Sequence, residues 1–290
     1  MARRAGRITL ALPRASDLAA LAVALFGATA AAAEPPGRVV SINLCTDQLT
    51  MLLAAPGQLI SVSHIAADPL ASVMADRAGQ YHLNHGQAEE IHAMAPDLVV
   101  TGPYTARYTV DLLRRLGIEV RELPVAQRLA DIPDNIARMG DWLGREAQAD
   151  RLITDFEDGL AALAPDAQAG ADARPTAVLH YANNYTAGTG TLAHEILTHA
   201  GFANLAERAG VSSGGTLPME QLVMLMPDAV ISGQRYPGQT RAEAVLDHPA
   251  IAALRDTHSS AAVSDAEWVC GTPAVLSAIA RVRALHGAGG

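Results

Sequence analysis

One phrase occurs twice in this 290-residue chain. EEIHAMAPDLVVTG begins at Glu89, and EQLVMLMPDAVISG begins at Glu220. In each copy a proline ends a short helical pattern, because the residue before proline is pushed out of the helical region, and the aspartate that follows can accept backbone hydrogen bonds in the turn. An apolar strand and a glycine come next. The repeat therefore predicts two copies of one helix-turn-strand unit, and so two similar lobes.

The segments around each copy alternate between strand and helix patterns. The predicted strands are RVVSINL, LISVSHI, DLVVTG and IEVRELP in the first half and TAVLHYA, DAVISG and SAAVSDA in the second. Strands that alternate with helices pair in parallel through crossover connections. The predicted fold class is therefore α/β, with two similar lobes built on largely parallel sheets.

Residues 131–163 between the two halves have apolar side chains at helical spacing. One helix of about 30 residues would measure roughly 45 Å, which is longer than a small lobe is wide. We therefore expect a single long backbone helix that joins an N-terminal lobe, residues 38–130, to a C-terminal lobe, residues 174–290. Since open parallel sheets bind ligands at the carboxyl ends of their strands, we expect the ligand cleft between the lobes.

Residues 1–33 have the three parts of a secretory signal peptide. Four arginines form a basic start, LAALAVALFGATA is an apolar run, and ATAAAA ends in small residues. The apolar run has about 13 residues, fewer than the roughly 20 that span a bilayer. We therefore expect cleavage near Ala33 and an exported protein that is soluble once the signal peptide is removed.

Charge and motifs exclude several classes of function. The formal net charge is −9 and no basic block occurs, which argues against a nucleic-acid partner. The chain contains no G-x-S-x-G elbow and no P-loop. His194 and Glu195 are not followed by a second histidine at the spacing of a zinc protease helix. We therefore predict no catalytic residues.

Aromatic and polar side chains follow the predicted strands at the edge where the cleft is expected. Five of the six tyrosines lie at these strand ends. A tyrosine offers a flat apolar face and a hydroxyl group, which suits a planar or chelating ligand. The candidate ligand-binding residues are Asn43, Cys45, His64, Tyr104, Arg107, Tyr108, Tyr181, Asn183, Tyr185, Arg235, Tyr236 and Trp268.

The two cysteines, Cys45 and Cys270, each follow a predicted strand, one in each lobe. A disulfide requires Cα atoms within about 7 Å, which the sequence does not fix. Three states stay open: a disulfide across the cleft, two thiols offered to a ligand, or two unrelated buried thiols. The histidines are dispersed along the chain, so we predict no metal site formed by the protein.

Several longer segments occur in a characteristic order: RVVSINLCTDQLTMLL, AEEIHAMAPDLVVTG, LLRRLGIEVRELP, HAGFANLAERAG, LPMEQLVMLMPDAVISG, HPAIAAL and EWVCGTPAVLSAI. In this combination the chain resembles the substrate-binding proteins of ABC importers, in the class with one long connecting helix that carries cobalamin, ferric siderophores, haem and related metal chelates. The resemblance covers about Arg38 to Leu285. It implies a monomeric binding protein of the periplasm, not an enzyme, that has no cofactor and delivers a metal chelate to a membrane permease.

The resemblance also implies individual roles. Glu89 and Glu220 match the acidic residues that dock each lobe of such proteins on the permease. Cobalamin binders of this class line the cleft with several tryptophans, but this chain has only Trp142 and Trp268. Two arginines at strand ends, Arg107 and Arg235, could pair with carboxylates of an anionic chelate.

We therefore expect a ferric siderophore first, cobalamin as the alternative, and then haem or a free metal ion. A periplasmic enzyme that processes such chelates and a structural periplasmic protein are the distant alternatives.

Overall fold

The computed structural model describes residues 34–165, 174–233, 240, 242–257, 259–263 and 265–286. The predicted signal peptide, residues 1–33, lies outside these ranges and stays a prediction. Among the described residues, no helix has both the length and the apolar character that crossing a membrane requires.

A five-stranded parallel sheet forms the centre of the N-terminal lobe, with strand order β3-β2-β1-β4-β5. Its strands are β1 (Val39–Ser41), β2 (Leu59–Ser63), β3 (His82–Asn84), β4 (Leu98–Thr101) and β5 (Val120–Glu122). The helices that connect them are α1 (Leu44–Leu53), α2 (Ala75–Ala78), α3 (Ala88–Ala93) and α4 (Arg107–Arg115). Strands β1 and β4 are buried throughout, as expected for a parallel sheet that is covered on both faces.

The C-terminal lobe has a four-stranded parallel sheet, with order β11-β10-β6-β8, and a two-stranded antiparallel ribbon of β7 and β9. Its strands are β6 (Thr176–His180), β7 (Tyr185–Ala187), β8 (Ala203–Asn204), β9 (Gly214–Thr216), β10 (Ala229–Gly233) and β11 (Ser259–Val263). Its helices are α7 (Leu192–His199), α8 (Leu205–Arg208), α9 (Met219–Leu225), α10 (Pro249–Thr257), α11 (Asp265–Trp268) and α12 (Val275–Arg283). Two lobes with parallel sheets confirm the predicted α/β fold class.

The repeated phrase forms the same structure in both lobes. The first copy forms α3 and β4, and the second forms α9 and β10. Before each proline the backbone turns through a left-handed residue, Ala95 with φ 46° and Met226 with φ 47°. Non-glycine residues rarely adopt this conformation, so its occurrence at the same place in both copies marks one shared turn.

The aspartate of each phrase fixes the start of the neighbouring strand. Asp97 accepts hydrogen bonds from the backbone N–H groups of Gly37 and Arg38, at 2.9 and 2.8 Å. Asp228 accepts from the N–H and the hydroxyl group of Thr176, both at 2.7 Å. The donors therefore lie before β1 and in β6, and not within the turn as the sequence pattern suggested.

The connecting segment differs from the prediction of one long helix over residues 131–163. It consists of α5 (Asp131–Leu143) and α6 (Glu146–Ala162). Gly144 has a left-handed φ of 64°, the usual way in which glycine ends a helix. Gly140 packs so closely on Ala149 that a Cβ atom on it would stand 2.4 Å from the Ala149 Cβ. The single helix is thus corrected to two helices in contact.

Each of these helices is held by a different lobe. The Gln58 side chain donates to the carbonyl of Leu143 at 2.8 Å, which attaches the end of α5 to the N-terminal lobe. The ring of His199 lies 3.0 Å from the carbonyl of Leu160, which attaches α6 to α7 of the C-terminal lobe. The Arg145 side chain, just before α6, also donates to the carbonyl of Leu53 at 3.2 Å, so the chain passes from the N-terminal lobe to the C-terminal lobe along α6.

The lobes share hydrophobic packing. One continuous buried cluster contains Val39 and Leu98 of the first sheet, Leu179 and Ile231 of the second, and Phe156 of α6. Because an apolar cluster that crosses the joint is disrupted when the lobes separate, we expect only small relative motions of the lobes.

Candidate functional site

Residues of both lobes line a cavity of about 510 Å³. The N-terminal lobe contributes Tyr104 and Val125, and the C-terminal lobe contributes Tyr181, Tyr185 and Trp268. All four aromatic residues are among the predicted ligand contacts. We call this cavity the interlobe cleft.

Tyr181 lies at the centre of the aromatic wall. Its ring centroid is 6.1 Å from that of Tyr185 and 6.1 Å from that of Trp268, the latter in an edge-on arrangement. Trp268 is almost fully buried, whereas Tyr104 is 86% exposed on the opposite lobe. The C-terminal lobe thus supplies a packed aromatic surface, and the N-terminal lobe supplies a projecting ring.

A tight turn after β6 positions Tyr181 and Tyr185 on the wall of the interlobe cleft. Asn183 and Asn184 both have φ 56°, a left-handed conformation that asparagine tolerates better than most residues. The N–H group of Tyr181 donates to the carbonyl of Tyr185 at 2.9 Å and closes the turn. Asn183 is exposed, its N–H donates to the carbonyl of Ala242 at 2.8 Å, and it is not among the residues lining the cleft.

A glycine fixes the position of Tyr185. Gly214 lies on β9 opposite the ribbon strand that begins with this tyrosine, and a Cβ atom on it would stand 1.8 Å from the Tyr185 hydroxyl oxygen. Any larger residue at 214 would therefore displace the tyrosine from the cleft wall.

The described part of the cleft wall carries no charged side chain. Its polar groups are the neutral side chains of Gln127, Thr191 and Ser213, together with the tyrosine hydroxyls. Arg107 is exposed at the start of α4 and does not line the cleft. Arg235 and Tyr236 lie outside the described residues. Arg107 therefore lends no support to an anionic ligand, and the prediction for Arg235 stays untested.

Several lining residues were not predicted, namely Val125, Gln127, Thr191 and Val269. Val125 and Gln127 follow β5, so the rule that ligands bind at strand ends could have found them. Thr191 and Val269 reach the cleft from loops whose path depends on tertiary packing.

A disulfide joins Cys45 and Cys270 beside the cleft, which is the first of the three states left open by the sequence. Cys45 is in the first turn of α1, and Cys270 follows Trp268 by two residues. Gly271 packs against Ala126, where a Cβ atom would stand 2.3 Å from the alanine Cβ. The loop after Trp268 is thus attached to the N-terminal lobe.

A small cavity of about 130 Å³ adjoins the disulfide and includes Asn43, Cys45 and Tyr104 in its wall. Asn43 is the N-cap of α1, and its side chain accepts a hydrogen bond from the N–H of Cys45 at 3.1 Å. These predicted contacts therefore lie next to the cleft and not on its aromatic wall.

A third cavity, of about 340 Å³, lies within the N-terminal lobe and is lined by His64, His85, Tyr104 and Tyr108 among others. The rings of His64 and His85 stack with centroids 4.9 Å apart. Tyr104 lines this cavity and the interlobe cleft alike, but His64 and Tyr108 line only this one of the two. The described residues contain no group of three or more His, Cys, Asp or Glu that could hold a metal ion.

A buried carboxyl group lies behind this third cavity. Asp47 is fully buried and accepts hydrogen bonds from the N–H group of Ser63, at 3.2 Å, and from the hydroxyl group of Ser63, a residue of the cavity wall. Burial raises the pKa of Asp47 to about 7, although hydrogen bonds from Ser41 and Ser63 act in the opposite direction.

The two predicted docking residues, Glu89 and Glu220, are exposed in the first turns of α3 and α9. Their carboxylates are free to meet a partner surface. The docking role itself stays a prediction.

A family model described as "Periplasmic binding protein" matches residues 39–255, which include the first sheet, all of the second sheet except β11, and most of the cleft. The chain belongs to the periplasmic binding protein family. Two strains of Halobacterium salinarum have a protein named "Cobalamin-binding protein" that is 28% identical to this chain over 200 residues. The match covers 68% of this chain and 54% of those relatives, so the chain spans about half of their length.

Solved structures share the fold. A possible iron-binding (periplasmic solute-binding) protein of Staphylococcus epidermidis has a TM-score of 0.71 at 17% identity, covering 88% of this chain and 100% of that one. The periplasmic heme-binding protein HutB of Vibrio cholerae has a TM-score of 0.70 at 20% identity, covering 86% and 98%. The periplasmic vitamin B12 binding protein BtuF of the same species has a TM-score of 0.64 at 18% identity, covering 87% and 96%.

Proposed function

We propose that this periplasmic binding protein captures a metal chelate in the interlobe cleft and delivers it to the permease of an ABC importer. The aromatic wall formed by Tyr181, Tyr185 and Trp268, with Tyr104 opposite, carries this proposal. Flat aromatic faces contact the faces of a macrocycle or the arms of a chelator, and they lose little conformational entropy on binding. The chain acts as a monomer without a catalytic step.

Among chelates, we place a corrinoid such as cobalamin first and a ferric siderophore second. The sequence favoured the siderophore because of Arg107 and Arg235, but Arg107 lies away from the cleft wall. Uncharged Gln127, Thr191 and Ser213 suit the neutral amide groups around a corrin ring, since a buried amide needs a hydrogen-bonding partner. The relatives named as cobalamin-binding support the same order. Haem and a free metal ion follow.

The test is calorimetric titration of the chain from Glu34 onward with cyanocobalamin, a neutral and an anionic ferric siderophore, and haemin. We expect saturable binding of cyanocobalamin without chemical change of the ligand. Turnover of the ligand would instead indicate an enzyme. Absence of binding to every member of the panel would overturn the chelate proposal.

Two tyrosine variants locate the ligand. Tyr185→Ala should weaken binding about tenfold or more, because it removes an aromatic face from the interlobe cleft. Tyr108→Ala is the matched control, since Tyr108 is also exposed but lines only the third cavity, which lies within the N-terminal lobe and is called the N-terminal cavity below. The reverse pattern would place the ligand in the N-terminal cavity.

Delivery is tested by replacing both docking residues. Glu89→Ala combined with Glu220→Ala should abolish import of the bound chelate in cells, because charge complementarity orients the protein on the permease. The affinity for the chelate should stay unchanged. Import at the unmodified rate would contradict the docking role, and a loss of chelate affinity would assign these residues a structural role.

A further inference from the structure

The two ends of the proposed docking surface are equivalent in backbone structure but differ in exposed chemistry. We define the N-terminal end as Glu89 with its neighbours on α3, and the C-terminal end as Glu220 with its neighbours on α9. The positions that hold Ala93 and Ala95 in the first copy hold Met224 and Met226 in the second. This inference rests on the docking part of the proposed function.

The two methionines are strongly exposed, Met224 at 76% and Met226 at 64%. Ten large hydrophobic residues are exposed in the described part of the chain, and six of them line a cavity. Of the other four, only Met224 and Met226 are close neighbours. Single exposed hydrophobic residues are ordinary, so the significance of this pair lies in its position beside the proposed docking residue Glu220.

Met224 shares a helix face with the docking carboxylate. It follows Glu220 by four residues in α9, and side chains at this spacing lie side by side. Met226 comes directly after the helix, at the left-handed turn. A carboxylate flanked by two flexible thioether side chains therefore faces outward at this end.

The N-terminal end has alanines at the positions of the two methionines and ionisable side chains close by. Glu90 holds His82 and His85, each at 3.7 Å, where the second copy has Gln221. His92 is exposed where the second copy has Val223. Ionisable groups therefore lie near Glu89, whereas two exposed methionines lie near Glu220.

We propose that Met224 and Met226 insert into an apolar depression of the permease, beside the basic group that pairs with Glu220, while the N-terminal end is held by polar and charged contacts. Methionine suits such a contact because its unbranched, polarisable side chain adapts to an irregular surface. The two ends thus contribute unequally: the C-terminal contact resists salt and the N-terminal contact is screened by it.

The first test identifies the partner in cells. A photoreactive phenylalanine analogue is placed at position 224 in one variant and, as a control outside both phrases that should give no such crosslink, at position 116. We expect a crosslink from position 224 to a multi-span permease subunit, identified by mass spectrometry. A crosslink only to a second copy of this chain, only to lipid, or to nothing would overturn the proposal.

The second test measures the unequal contributions on that permease subunit and its partner, reconstituted in nanodiscs. Met224→Ala should weaken binding about five- to tenfold, the effect of truncating a buried apolar contact. Met224→Leu should retain most of the affinity. Leu116→Ala is the control, because Leu116 is a large exposed apolar residue, at 45%, that lies outside both phrases.

The salt dependence of permease binding distinguishes the two ends of the docking surface. The loss caused by Glu89→Ala should shrink as sodium chloride rises from about 0.05 to 0.5 M, while the loss caused by Met224→Ala should persist. Ala93→Met should make the N-terminal end chemically more similar to the C-terminal end and so reduce the salt dependence of binding to the permease. Equal salt dependence for the Glu89 and Met224 variants would contradict the proposal.

Two variants distinguish a missing apolar contact from a missing docking surface. If the Glu89→Ala, Glu220→Ala double variant loses import but Met224→Ala binds the permease normally, docking stands and the apolar contact is overturned. If the double variant imports normally, the docking surface itself is overturned.

Discussion

The two copies of the repeated phrase agree in what the backbone requires and disagree in what the surface presents. Each copy has a left-handed residue before proline and an aspartate that holds the start of the first strand of its lobe. At the exposed positions one copy has small and ionisable side chains and the other has methionines. Backbone geometry therefore restricts which residues can occupy the turn positions. The residues at exposed positions are not restricted in this way and can differ to suit a partner surface.

The largest expected effect concerns the covalent link between the two lobes. Cys45→Ser combined with Cys270→Ser should lower the free energy of unfolding by about 3–5 kcal/mol, because the disulfide closes a loop with a sequence separation of 225 residues. Guanidinium unfolding of the oxidised chain and of the variant measures the difference. The unmodified chain under reducing conditions should match the variant. A difference below about 1 kcal/mol would show that hydrophobic packing alone holds the lobes together.

The next prediction concerns the buried carboxyl group of the N-terminal lobe. The folded state raises the pKa of Asp47 from 3.8 to about 7, so it favours the protonated form. The stabilisation is therefore fully present below about pH 4 and is lost as pH rises to about 7, a change on the order of a few kcal/mol.

Asp47→Asn should remove this dependence, because asparagine stays neutral. The variant and the unmodified chain are compared by urea unfolding at pH 5 and pH 8, so that groups common to both cancel. The variant should gain stability relative to the unmodified chain on going to pH 8. An equal pH dependence in the two proteins would contradict the raised pKa.

The aspartates of the two phrases allow a direct comparison between lobes. Asp97→Ala and Asp228→Ala each remove an acceptor of two hydrogen bonds, and each should cost about 1–2 kcal/mol. Both groups are exposed, which keeps the cost at the lower end. Chemical denaturation of the two variants measures it. Costs that differ by more than about 1 kcal/mol would show that the two copies are not equivalent in energy.

The smallest expected effect is an increase in the free energy of unfolding. Ala95→Gly and Met226→Gly should each stabilise the protein by about 0.5–1 kcal/mol, because glycine adopts positive φ without steric cost. Thermal unfolding measures the change. Ala93→Gly, two residues earlier in α3, is the control and should destabilise. A loss at either left-handed position would show that its side chain contributes more than its backbone costs.

Much of the fold could be predicted because its signals are local. Apolar runs such as RVVS and DLVVT, with turns between them, specify strands and helices, and their alternation specifies parallel sheets. The tyrosines of the cleft were found in the same way, since Tyr104 lies three residues after β4, and Tyr181 and Tyr185 lie one and five residues after β6.

The break in the connecting segment was missed for a physical reason. Helical spacing of Ile136, Met139 and Leu143 continues past Gly144 to Leu152, so periodicity gives no sign of an end. A glycine inside a helical pattern ends the helix only if the chain must turn there, and packing of Gly140 on Ala149 imposes that turn.

By itself the sequence determined the two lobes, their parallel sheets, the class of protein and the strand ends at which aromatic residues gather, because these follow from periodicity and turn chemistry within short segments. Only the tertiary structure decided that Cys45 meets Cys270, that Arg107 stays away from the cleft, and that Met224 faces outward. Each of these depends on the distance between residues far apart in the chain or on what covers a side chain, and a local pattern specifies neither.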